Sequence, residues 1–175
     1  SSLGKDEKQY QSSLSEINTK SGKLSSEIRK KQSQINKLQQ RIQAIIAEEA
    51  RKNRATPKSA AQEEYIANLS GRFDQNKGLL PYPVRGGVIL DRYGVHPHAT
   101  QKGLMVNNKG VNIASGSGAE VRAVFEGDIT QIVFVQGLNN TVIIRHGNYL
   151  TTYSTLASVN VKTGHKVTLN QVIGR

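Results

Sequence analysis

Two asparagines four residues apart, Asn108 and Asn112, enclose Lys109-Gly110-Val111 in the stretch NNKGVNIASGSG. A zinc enzyme can place His and Asp at this spacing. Three protein ligands bring the pKa of a bound water to about 7, and each must be an imidazole, thiolate or carboxylate. A neutral carboxamide offers neither charge nor a good lone pair. The stretch therefore raises the question of a metal site that has lost its ligands.

Other residues could also do chemistry. His96-Pro97-His98 places two imidazoles around a proline that should make a turn, with no acid or third imidazole close in sequence, so a turn is expected rather than a metal site. His146 before Gly147 and His165 after Gly164 read as hairpin turn residues. Ser115-Gly116-Ser117-Gly118 lacks the Gly-Lys-Ser or Gly-Lys-Thr and the following helix of a phosphate loop. Ser117 is not at a strand-to-helix elbow that would make it a nucleophile. There is no cysteine, so no disulfide and no thiolate site forms, and the redox compartment stays open.

The net charge of +11 is uneven: residues 1–58 carry 13 Lys or Arg against 6 acids, and the rest 11 against 7. Nucleic acid, acidic membrane surfaces and anionic wall polymers would all suit such a balance. Arg29-Lys30-Lys31 lies in a segment whose single aromatic is Tyr10, so nucleic-acid binding by stacking is not expected. No run of 18 apolar residues occurs. The opening Ser1-Ser2-Leu3 has no basic and apolar leader, which leaves a removed secretion signal open.

Three regions must position the candidate residues. Residues 1–55 are expected to form a long coiled-coil helix of roughly 70 Å. Stepping four and three from Leu3 lands on Glu7, Tyr10, Leu14, Ile17, Ser21, Leu24, Ile28, Lys31, Ile35, Leu38, Ile42 and Ile45, an apolar stripe that needs a partner. Ser21-Gly22 and Lys31 weaken it. Residues 56–77 hold Thr56-Pro57 and then Ser59 with Gln62, a capping box opening a short arm whose apolar face is Tyr65, Ile66, Leu69 and Phe73. Residues 78–175 read as an all-β domain of antiparallel hairpins, with strands over 84–93, 105–114, 120–135, 141–153 and 159–173. The fold class is thus α+β and multidomain.

Within residues 78–174 the stretches GLLPYPV, YGVHP, KGVNIASGSGAEVRAVFEGDI, NTVIIRHGNYLTTYSTL and VKTGHKVTLNQVIG resemble, in the same order, the lysostaphin and LytM-like zinc endopeptidases of bacterial cell walls. GLLPYPVRGG after a coiled coil and an arm is most similar to the EnvC-type murein hydrolase activators. In the active members zinc is held by His-x-x-x-Asp and a later His-x-His, with a further His in Tyr-x-His-Leu. Here Asn108, Asn112 and Thr155 stand at the readable positions.

The resemblance implies a non-catalytic protein with no metal or cofactor. Its former substrate groove, carrying Asn108, Lys109, Asn112, Leu138, Thr141, Tyr153 and Thr155, would bind a peptidoglycan amidase. The coiled coil would dock on FtsX of the FtsEX division complex, and the place would be the periplasm of a Gram-negative cell. A zinc endopeptidase with unusual ligands and a structural wall-binding adaptor are the alternatives. The arm is expected to cover the groove through Tyr65, Ile66, Leu69 and Phe73.

Overall fold

The computed structural model describes residues 3–98 and 103–175; Ser1 and Ser2, and the side chain of the seam residue Leu3, lie outside the description. The first region is one unbroken helix, α1 (Leu3–Ala55), which continues through Ser21-Gly22. Its 53 residues make a rod of about 80 Å. Among the described residues no helix is long and apolar enough to cross a membrane.

The apolar stripe of α1 has two fates. Tyr10, Leu14, Ile17, Leu24 and Ile35 are exposed. Leu38, Ile42 and Ile45, with Gln39, Ile46 and Glu49, are half-buried. The end of the stripe finds its cover in the β domain of its own chain, a partner that the heptad pattern does not specify.

After Thr56-Pro57, Ser59 caps α2 (Ala60–Gln75): its hydroxyl accepts from the Gln62 N–H while the Gln62 side chain accepts from the Ser59 N–H. Leu69 is fully buried. Phe73 stacks on His146 with ring centroids 4.7 Å apart, lies 5.2 Å from Tyr149 and meets Phe125 edge-on at 5.5 Å. The Tyr65 hydroxyl donates to Asp128 (3.4 Å), and the Lys166 ammonium sits 4.3 Å above the Tyr65 ring. At Gly147, φ is +69° and a Cβ would stand 2.2 Å from Ser70 Oγ, so only glycine lets the arm come this close. The arm thus has a home on the hairpin around Gly147. It is α1, and not the arm, that reaches Asn108.

Ten strands follow: β1 (Val88–Asp91), β2 (Gly94–Pro97), β3 (Met105–Asn108), β4 (Asn112–Ala114), β5 (Val121–Arg122), β6 (Gly127–Val135), β7 (Asn139–His146), β8 (Tyr149–Leu156), β9 (Lys166–Val167) and β10 (Val172–Gly174). One antiparallel sheet has the order β8-β7-β6-β9, and β1–β4, β2–β3 and β5–β10 form two-stranded ribbons. Four of the five expected strands are each two separate ones. The 105–114 segment, for instance, breaks at Lys109-Gly110 into β3 and β4, which pair with different neighbours.

From Thr141 to His146, β7 is buried at every residue. Alternate side chains of a strand point to opposite faces, so both faces must be covered. Val142 and Ile144 face the core with Ala123, Val124, Ile129, Tyr153, Leu156, Val167 and Ile173. Thr141, Ile143 and Arg145 face the other way, towards α1, which Arg145 reaches through Glu49. Tyr153 pairs with Val142. It therefore belongs to the core face rather than the groove, its hydroxyl accepts the Val124 N–H (2.9 Å), and burial pushes its phenol above the ordinary range.

His146 is the fully buried end of β7, not an exposed turn residue. Its Nδ1 is 2.6 Å from the Glu126 carbonyl and its Nε2 2.8 Å from Thr151 Oγ1. A carbonyl only accepts, so Nδ1 carries the hydrogen and Nε2 of the neutral ring accepts from the threonine hydroxyl. Burial holds the pKa of this imidazole below its usual value. The neutral ring is then favoured in the fold, and its contribution is complete above the unfolded value of about 6.5. It is lost as pH falls from there through the depressed folded value, because unfolded chains take up a proton that the fold resists. Thermal unfolding followed between pH 7 and pH 5 should show this loss, at most about 1.4 kcal/mol per pH unit, and His146→Gln should flatten it.

Between β7 and β8 the register shifts, and Thr155 on the bulged strand has φ +65°. A β-branched residue in that conformation costs on the order of 1 kcal/mol or more. Thr155 is exposed, so little packing is lost on replacing it. Thr155→Asn is expected to raise stability by about 1 kcal/mol in a denaturant titration.

Candidate functional site

The ends of β3 and β4 bring Asn108 and Asn112 to a common partner that sequence spacing does not suggest. Asp91, the last residue of β1, accepts on Oδ2 from Asn108 Nδ2 (3.1 Å) and from Asn112 Nδ2 (3.4 Å). Its Oδ1 lies 2.8 Å from His96 Nε2. His96 is a residue of β2, so Pro97 ends a strand here rather than making the expected turn, and an acid does stand beside the imidazole. The backbone N–H of Gly110 donates to Asn108 Oδ1 (3.1 Å), which fixes the amide: its oxygen faces Gly110 and its nitrogen faces Asp91.

This donor set does not fit zinc. Zinc takes lone pairs from three or four side chains, whereas both asparagines here point N–H groups at the carboxylate. The imidazole nitrogen nearest the site is already engaged with the same carboxylate. Among the described residues no three His, Cys, Asp or Glu side chains gather as a metal ion requires.

Helix α1 reaches across to this site. Gln39 Nε2 donates to Asn108 Oδ1 (3.2 Å), and Asn108 is 2% exposed with the helix in place. Nearly three turns along, Glu49 receives Arg145 Nη2 (2.7 Å) and Gln131 Nε2 (2.8 Å). The Arg145 and Glu49 side chains are only 10% and 14% exposed, so this is a nearly buried ion pair rather than a surface one. A Cβ on Gly137 would stand 3.1 Å from Leu38 Cδ1, which places the β6–β7 loop against the helix as well.

The remaining residues of the expected groove are dispersed. Lys109 and Asn112 are exposed, and Leu138 is half-buried. The Leu138 carbonyl accepts the Thr155 N–H (2.7 Å). Thr141 is buried on the face turned to α1, its hydroxyl bonded to Ser154 (3.1 Å). Among the described residues no hydrogen bond links the Leu138–Thr155 pair to Asn108 or Asn112. Asp91, His96, Gln39, Glu49 and Arg145 are the contributors that the motif reading missed. One signal was present for Glu49: it continues the four-three stepping one place past Ile45, where an apolar residue is due.

A search of the curated proteins found no match. Among solved structures, the chain is similar to Csd3 of Helicobacter pylori (20% identity over 55% of this chain and 26% of that one, TM-score 0.46). It is also similar to the catalytic domain of the prophage-encoded M23 protein EnpA of Enterococcus faecalis (21%, 55% and 73%, 0.47) and to a chain of the SpoIIQ–SpoIIIAH pore-forming complex (24%, 54% and 70%, 0.47). The chain spans about a quarter of the Helicobacter protein's length. Residues 106–175, from β3 to β10, match the model of Peptidase family M23. That match supports a peptidase M23 (LytM-like) domain in this part of the chain, built on the strands that carry Asn108, Asn112 and the α1-covered face of β7.

Proposed function

We propose that this protein is a non-catalytic activator of peptidoglycan amidases. The M23-like surface around Asn108 would serve as the amidase-binding face, and α1 as its removable cover. One observation carries the reading: the place where a zinc peptidase would keep its ion holds amide donors, and the chain's own helix lies on it through Gln39. A surface covered by half-buried apolar residues of one helix, a few hydrogen bonds and one ion pair can exchange that helix for another polypeptide, and the exchange is a population shift between covered and open states.

The exposed stripe from Tyr10 to Ile35 supports the second half of the proposal, a coiled-coil contact with FtsX of the FtsEX complex, in the periplasm of a Gram-negative cell. Movement of α1 by that contact would uncover the amidase face. In this scheme the arm anchors the hinge side through Phe73 and Leu69 and does not cover the groove.

The test mixes the protein with a purified amidase and labelled peptidoglycan. Faster release of label is expected, and Glu49→Gln should tighten amidase binding about tenfold by calorimetry, because it weakens the cover without touching the Asn108 site. An unchanged hydrolysis rate would leave only a wall-binding adaptor. Cross-link cleavage by the protein alone would instead mean an endopeptidase.

A further inference from the structure

We infer that Asp91 has taken the place of the metal ion: the site is centred on an anion, and this carboxylate ties together the ends of β3 and β4, where the first two ligands of a cation would stand, and adds β1 and β2 to them. The inference concerns the isolated chain and stands apart from the amidase proposal.

Four strand segments meet at the carboxylate. Asp91 belongs to β1, His96 to β2, Asn108 to β3 and Asn112 to β4. The two ribbons concerned, β1–β4 and β2–β3, are separate sheets, so no backbone ladder joins them. Asp91 joins them through its side chain: Oδ2 to Asn108 (3.1 Å) and Oδ1 to His96 (2.8 Å) on one ribbon, and Oδ2 to Asn112 (3.4 Å) on its own. A metal would draw lone pairs inwards from such strand ends. An anion draws N–H groups, and an asparagine at 108 or 112 supplies one where His or Asp would supply a lone pair. The exchange of charge at the centre and the exchange of ligand type at the rim are therefore one chemical change.

Hydrogen bonds to an ionised acceptor are stronger than neutral ones. The Asp91 side chain is only 25% exposed, so water competes weakly for it. Its effect extends to Asn108, whose oxygen is thereby turned to the Gly110 N–H and to Gln39 of α1.

Amide hydrogen exchange on the full chain tests this. Asp91→Ala is expected to speed exchange about tenfold in β2, β3 and at the Gly110 N–H, while β6 and β7 keep their protection. If the alanine variant unfolds, Asp91→Asn gives the same readout with the shape kept and the charge removed. Asn108→Asp sets two carboxylates face to face and should have a similar effect. Combining it with Asp91→Asn exchanges the donor and acceptor and should restore protection at Gly110. Unchanged exchange in the single variants, or no recovery in the double one, would overturn the inference. So would stoichiometric Zn²⁺ binding, titrated as zinc chloride, that Asp91→Ala abolishes, since the carboxylate would then be a ligand.

Discussion

A guanidinium in the middle of a sheet sets the arrangement of this protein. Arg145 lies on β7 with Ile143 and Thr141 on the same face, and that strand is buried from both sides. A buried Arg without a counter-charge is strongly unfavourable, and removal of one partner from such a pair costs about 3–5 kcal/mol. Glu49 supplies the charge, and Gln131 satisfies its second oxygen. Because a charged pair has one favourable geometry while an apolar stripe can slide, Glu49–Arg145 fixes the register of α1 on the sheet. Leu38 then falls on Gly137, and Gln39 on Asn108.

The two faces of β7 consequently have different characters. The core face is closed by aliphatic side chains that nothing displaces without unfolding. The opposite face is closed by a helix held through the Glu49–Arg145 pair, the Gln39–Asn108 hydrogen bond and the half-buried Leu38, Ile42, Ile45 and Ile46, while the apolar stripe before them is exposed. The arm completes the division. With Phe73 stacked on His146 and Leu69 fully buried, α2 is fixed to the domain.

The site near Asn108 is centred on the Asp91 carboxylate. Two carboxamides and an imidazole meet at one carboxylate. Thr155 has a left-handed backbone at a bulge, and its N–H is tied to the Leu138 carbonyl.

The sequence alone determined the long helix, the Ser59–Gln62 cap, the antiparallel strands in order, and the lack of zinc ligands at 108 and 112. Each of these depends on a period or a chemistry carried by residues close together in the chain, where the 3.5 and 2.0 repeats and side-chain lone pairs are directly legible. The tertiary structure alone decided that Asp91 meets Asn108 across 17 residues, Gln39 meets Asn108 across 69, and Glu49 meets Arg145 across 96. It also sent the arm to the Gly147 hairpin and Tyr153 to the core. No local pattern encodes such meetings, because they follow from where strands break and which ribbons return beside each other. A break such as Lys109-Gly110 leaves the alternation on either side intact while turning the chain to a new neighbour.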